Sequence, residues 1–273
     1  MREDTPFVLF DDARAGGAPG RLYRNPVGEV VAATEAEVIP ALERLRADIA
    51  KGRHAAGFLA YEAGFALDPA LIGKAPAIPG PLLWFGLFDG YEAPPPIAGT
   101  CRLGPPRPRI ECDAYLAAAA RVREHLFAGD FYQANLTFGC DVTLLGDPLA
   151  AYAQLRREAL AGWGGVVRHP GGWILSLSPE QFFTLRSGAL AARPMKGTEP
   201  RCADDQAAIA RLRGDPKQRA ENLMIVDLLR NDLARIAETG SVAVPSLFEV
   251  ETYPTVHQMV SAVTAQLRYG LDA

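Results

Sequence analysis

The stretch "GVVRHPGGWILSLSPEQFFTLRSGALAARP", residues 165–194, consists of apolar runs broken by Gly-bearing turns. Successive short runs joined by such turns read as antiparallel strands linked by hairpins. Overlapping its end is "ARPMKGTEPR", residues 192–201, which sets one lysine, Lys196, among Pro194, Gly197 and Thr198. Taken by itself, a lysine in such a bend is a solvated turn residue. Upstream and downstream of these hairpins the pattern changes to helical spacing. "DAYLAAAARVREHLFAGD" is an Ala-rich helix ended by Gly129, and "DPLAAYAQLRREALAG" is a helix with Pro just inside its start. "DPKQRAENLMIVDLLRNDLARIAETG" is the longest helix, with Leu223, Val226, Leu229, Leu233 and Ile236 as its apolar set and Gly240 closing it. "SVAVPSLFEVETYPTVHQMVSAVTAQLR" returns to strand, and "FYQANLTFGCDVTL" alternates like one. Strand clusters and helices that do not strictly alternate define an α+β class rather than a doubly wound parallel sheet.

The N-terminal part carries strand-like "TPFVLFDDA", then "TEAEVIPALERLRADIAKG" with a Thr-x-x-Glu helix start and a closing glycine. "GFLAYEAG" and "LLWFGLFDGYE" are apolar enough for buried strands. The organisation expected is an α+β region over 1–92, a proline-dense linker over 93–109 ("APPPIAGTCRLGPPRPR"), and a second mixed region over 110–273.

Bulk properties exclude several function classes. Net charge is −4 with no basic block, so a nucleic-acid partner is disfavoured. The four cysteines form no CxxC pair and the four histidines no HExxH-like spacing, which removes the common zinc and dithiol motifs. A reducing, cytoplasmic compartment fits this cysteine usage. The start "MREDTPFVLF" lacks a basic region followed by a long apolar stretch, and no apolar run is long enough to cross a bilayer, so no membrane association is expected.

By spacing alone, Glu221 is a polar residue at the edge of an apolar helical stripe, with Asp232 three turns on close to the same face. Such residues ordinarily form a solvated, ion-paired helix face. Glu180, after Pro179, reads as a turn residue.

Together, "GDFYQANLTF", "LSPEQFF", "ARPMKGTEPR", "KQRAENLMIVDLLRNDLARIAETG" and "SVAVPSLFEVETYPTVHQMVSAVTAQL" resemble the chorismate-utilising enzymes, the anthranilate synthase component I-like family. The resemblance runs from about residue 113 to 273. Within that family, "PMKGT" is similar to the aminodeoxychorismate synthase component I group, where anthranilate synthases carry alanine in place of Lys196. The resemblance implies antiparallel sheets packed face to face with helices outside. It implies that Lys196 is a nucleophile toward C2 of chorismate, Glu180 the general acid for the leaving hydroxyl, and Glu221 a ligand of Mg²⁺. Gly197, Thr198 and His257 are implied as substrate-binding residues. An amine attacks only in its neutral form, so this role calls for a lysine held in a desolvated pocket.

Three departures matter. Gln218 stands where many members carry a second carboxylate. Gln258, beside His257, stands where many carry a histidine; strand alternation turns these two to opposite faces, so at most one can face a pocket. Gln133 stands where isochorismate-forming members carry a water-activating lysine, which argues against that reaction. Members also continue beyond "AQLRYGLDA" with a Pro-x-Gly-Ser-x-Thr-Gly-Ala-Pro-Lys segment, an arginine, glycine amides and another Mg²⁺ glutamate. The expectation is that this C-terminal part of the fold is absent from the 273 residues. The function implied is transaminase-type amination of chorismate to aminodeoxychorismate for para-aminobenzoate and folate synthesis. Ammonia would come from a glutamine amidotransferase subunit. Anthranilate synthesis is the alternative reaction, and a non-catalytic fragment or binding module of the fold is the alternative of another class.

Overall fold

The structure, a computed structural model, describes residues 5–272. Two compact units are present. One comprises the chain up to Pro96 together with Gln154 onward, and the other spans Ile97–Ala153.

The larger unit begins with β1 (Phe7–Asp11), β2 (Arg21–Arg24) and β3 (Gly28–Ala32), followed by α1 (Glu35–Ala50). Helix α1 starts where expected because the Glu37 carboxylate accepts hydrogen bonds from the N–H groups of Ala33 and Thr34. Strands β4 (His54–Leu59) and β5 (Leu83–Phe88) follow. Only the start of "GFLAYEAG" is strand, however, because Tyr61–Ala66 winds into a 3-10 helix. In the smaller unit lie β6 (Cys101–Leu103), β7 (Arg107–Pro108), α2 (Cys112–Ala128), β8 (Cys140–Asp141) and β9 (Leu144–Gly146). Helix α2 ends on Gly129 in the left-handed conformation, as its sequence predicts. Thus the proline-dense segment is more than a connector: it supplies two short strands, which pair with β9 and β8. By contrast, residues 131–139 form no strand. An alternating sequence becomes a strand only if another strand takes its backbone groups.

Helix α3 (Pro148–Ala159) leads to β10 (Trp163–His169), β11 (Gly172–Ser178), β12 (Gln181–Arg186), β13 (Ala189–Arg193) and β14 (Met195–Pro200). Then come α4 (Asp205–Gly214), α5 (Pro216–Ile236), β15 (Ala243–Thr252) and β16 (Val256–Gln266). The sequence reading missed α4, which begins on an Asp204 side chain that accepts from the N–H of Ala207. The 165–194 hairpins are antiparallel as read, but they are divided between two sheets. One has the order β11-β10-β1-β2 and the other β12-β13-β16-β14, with β15 also on β16. A third sheet is β3-β5-β4.

The compact units part after Pro96, within the proline-dense segment, and again after Ala153. Strand β1 pairs with β10, Val8 opposite Val167, so the N-terminal segment completes a sheet begun far downstream. Val8, Tyr23 and Val167 of that sheet pack face to face against Ala56, Trp84 and Phe88 of the three-stranded sheet. Helix α1 packs through Val38, Ala41 and Leu45 against Val30, Ala32, Leu83 and Leu87. Helix α5 covers β13 and β16 through Val226 and Leu233 on Leu190, Val263 and Ala265. Of the predicted stripe on α5, Leu223 and Ile236 are exposed, and the helix is capped at Ala237 rather than at Gly240. The buried stripe runs instead through Asn222, Val226, Leu229 and Leu233, at steps of four, three and four.

Candidate active site

Strand β14 carries Lys196, Gly197 and Thr198 along β16, but not in regular register. Met195 lies opposite Val260 and Thr198 opposite Gln258. Between them, Lys196 and Gly197 face the single residue Met259, which is a β-bulge. The bulge needs glycine at 197. Its φ is +104°, and a Cβ there would sit 3.1 Å from the Met259 Cβ and 3.3 Å from Oε1 of Gln218 on α5. The strand and the helix thus approach one another over a residue without a side chain.

Lys196 is half-buried. Three carboxylates of β14, β15 and α4 are taken by arginines: Glu199 by Arg211, Glu251 by Arg193 and Asp205 by Arg201. Glu180 is exposed in the turn between β11 and β12. Its backbone is fixed by Ser178, whose hydroxyl accepts from the Glu180 N–H at 3.1 Å and donates to the Glu180 carbonyl at 2.9 Å. Gln181 lies opposite Arg193 in the β12–β13 pair. Pro179, Arg193, Met195, Glu251 and Val260 line one small hollow. The chain neighbours of Glu180 and Lys196 therefore meet at the same end of the sheet. There the Tyr253 hydroxyl donates to Glu251 at 2.9 Å. Burial first, then that carboxylate, pushes the phenol up to about 12.

Glu221 lies on α5, about a third of its side chain accessible, with Lys217 3.8 Å away. Gln218, the residue in place of a second carboxylate, is one turn earlier and packs on Gly197. Among the described residues no group of three or more His, Cys, Asp or Glu side chains is arranged to hold a metal ion. A lone, accessible carboxylate fits an ion that keeps its waters and completes its shell with an anionic substrate, which is how magnesium is usually held.

His257 was expected among the substrate-binding residues. Its side chain is fully buried on the α4 side of β16. Nδ1 lies 3.0 Å from the Thr252 hydroxyl and Nε2 3.1 Å from Asp205 Oδ1, so both ring nitrogens are occupied. Alternation turns Gln258 to the other face, where its Oε1 accepts from the Thr198 hydroxyl at 3.0 Å. Gln258, rather than His257, joins the face of Thr198.

One buried polar residue was missed. Asn222, next to Glu221, is wholly buried. Its Nδ2 donates to the carbonyls of Lys196 and Met259, each 3.2 Å away, and its Oδ1 accepts from Ser261 Oγ at 2.6 Å. The signal was present in the sequence: Asn222 lies four residues before Val226, in register with the buried stripe.

The family model for chorismate binding enzymes matches residues 92–273, two thirds of the chain, and the chain belongs to that family. It is 46% identical over 182 residues to aminodeoxychorismate synthase component 1 of Klebsiella aerogenes, covering 65% of this chain and 40% of that protein. It is 43% identical over 184 residues to aminodeoxychorismate synthase of Streptomyces griseus, covering 66% and 25%. Anthranilate synthase component 1 of Methanothermobacter thermautotrophicus is 36% identical over 162 residues, covering 58% and 35%. Each match thus spans less than half of the relative's own length. The fold is that of anthranilate synthase component I from Streptococcus pneumoniae, with a TM-score of 0.73 at 20% identity, covering 97% of this chain and 70% of that one. No helix among the described residues is long and apolar enough to cross a membrane.

Proposed function

We propose that this chain carries the aminating residues of an aminodeoxychorismate synthase, component I, which converts chorismate and ammonia to 4-amino-4-deoxychorismate and water. The observation that carries the reading is Lys196 on a glycine-dependent bulge, in "PMKGT", against the helix that bears Glu221. High identity to proteins named aminodeoxychorismate synthase supports it.

In this reading the neutral Nζ of Lys196 forms a bond to C2 of the ring. The ring double bonds shift and the C4–O bond breaks, with Glu180 delivering the proton that lets the hydroxyl leave as water. Ammonia then bonds to C4, the double bonds shift back, and the C2–Nζ bond breaks, which frees the lysine. The extra ammonia proton returns to the Glu180 carboxylate. Thr198, on the face it shares with Gln258, contacts the substrate. Glu221 would hold Mg²⁺, which when bound offsets the charge of the ring carboxylate. A glutamine amidotransferase subunit supplies the ammonia, in keeping with the "component 1" of the relative's name. The product serves para-aminobenzoate and folate synthesis, in the cytoplasm.

The test is to incubate the whole protein with chorismate, MgCl₂ and ammonium chloride and identify the product by mass. Aminodeoxychorismate is expected. Anthranilate would transfer the chain to the other reaction of the family, and no consumption of chorismate at any ammonium concentration would overturn the catalytic reading.

A further inference from the structure

We infer that Asn222 is a positioning residue: its carboxamide closes the β14 bulge and thereby sets the direction of the Lys196 side chain relative to the helix turn that carries Glu221. The inference rests on the reading of Lys196 as the nucleophile.

A bulge that sets Lys196 and Gly197 against Met259 interrupts the ladder between β14 and β16. Two carbonyls at that interruption, those of Lys196 and Met259, both point to one nitrogen, Nδ2 of Asn222. A carboxamide nitrogen has two N–H donors, and here each has an acceptor. At the other end of the amide, Oδ1 accepts from Ser261 Oγ, and Ser261 Oγ itself accepts from the Phe248 N–H at 3.1 Å. The serine donates its proton to Asn222 Oδ1, and the two carbonyls at the Nδ2 end fix the orientation of the amide. Reversed, it would place oxygen against two carbonyl oxygens.

No other neutral side chain of this length carries two donors at one end and an acceptor at the other. Aspartate has the same shape but no donor. Leucine fills similar space but leaves two carbonyls without partners in a dry site. A buried polar side chain in an otherwise apolar stripe must be matched by its surroundings, and this one is matched by the backbone of the proposed nucleophile. The neighbouring position on the same helix, Glu221, is the proposed metal ligand. One turn earlier, Gln218 packs on Gly197. Helix α5 therefore holds the Lys196–Gly197 bend at two successive turns and presents Glu221 between them.

The experiment is steady-state kinetics of the whole protein with chorismate, Mg²⁺ and ammonium, using Asn222→Ala, Ser261→Ala, Lys196→Ala and the two double variants. A misaimed nucleophile costs turnover, not substrate affinity. Asn222→Ala should lower kcat about 10- to 100-fold with KM for chorismate within about threefold. Ser261→Ala leaves both Asn222 donors in place while it unlocks the amide and removes the acceptor of the Phe248 N–H, so its loss in kcat should be smaller, about 3- to 10-fold. In a Lys196→Ala background either substitution should change the residual rate less than about twofold, because there is no lysine left to aim. Additive losses in that background, or a rise in KM that accounts for the whole effect, would overturn the inference. Should Asn222→Ala not fold, the Ser261→Ala cycle decides by the same criterion. A wild-type protein that forms no aminodeoxychorismate would instead refute the proposed function, an outcome separable from these.

Discussion

Nε2 of His257 lies 3.1 Å from Oδ1 of Asp205, and the opposite ring nitrogen lies 3.0 Å from the Thr252 hydroxyl. The histidine joins β16 to the first turn of α4 and to the end of β15, and it is fully buried in doing so. His257→Leu should therefore lower stability by about 1–3 kcal/mol, from two lost hydrogen bonds and imperfect packing. KM for chorismate should stay within about threefold. Urea unfolding and steady-state kinetics on the same preparation check both. A large rise in KM with normal stability would return His257 to the substrate site.

Acid should loosen the same junction. Hydrogen bonds from Arg201 first, with help from the Cys202 N–H and His257, hold the Asp205 carboxyl down to about 2. Arg14 does the same for Asp12, also to about 2. Both folded values lie below the ordinary value near 4, so each carboxylate stabilises the fold fully above that pH and loses its contribution as pH falls from about 4 to about 2. The urea midpoint should decline across this window, and the decline should be shallower in Asp205→Asn. A midpoint that is flat from pH 4 to pH 2 would contradict the assignment.

Gly197→Ala should be costly where Gly214→Ala is not. At φ +104° any side chain is strained, and the added methyl would meet Met259 and Gln218. The expected destabilisation is about 1–3 kcal/mol. Gly214, at the end of α4, has open space around its Cβ direction and no positive φ, so it serves as the control. Chemical denaturation of the two variants gives the comparison, and equal midpoints would rule out a strained bend.

Lys196→Ala should abolish covalent amination and leave chorismate binding. The expected loss in kcat is at least about 100-fold, with calorimetric affinity for chorismate in Mg²⁺ nearly unchanged. Lys196→Arg should be as inactive, since it keeps the charge and loses the nucleophile. Wild-type turnover in either variant would exclude attack by this lysine.

Glu180→Gln should reduce kcat about 10²- to 10⁴-fold, the usual contribution of a positioned acid. The residual rate should lose the dependence on pH that the acid imposes. A profile unchanged from wild type would place the proton donor elsewhere.

The backbone geometry around Lys196 was legible because it is local. Glycine and proline around Lys196 announced a constrained bend, and the bend is there as a bulge. The helices announced by caps and spacing, α1, α2, α3 and α5, all form, because capping and periodicity are properties of ten to twenty neighbouring residues. The α+β class followed from the order of strand-like and helix-like stretches.

What required the tertiary structure is whatever depends on residues distant along the chain. The alternation of β16 made it certain that His257 and Gln258 face opposite ways, but only the docking of α4 decided which of them is buried. The strand signal in residues 131–139 is not realised, while β1 pairs with the distant β10. Asn222 was polar in the sequence and silent about its purpose until Lys196, Met259 and Ser261 were brought around it. Local sequence determines what each segment can form, whereas hydrogen bonds between segments remote in sequence decide which backbone groups are left to be satisfied. At the Lys196 bulge, a side chain from α5 is what satisfies them.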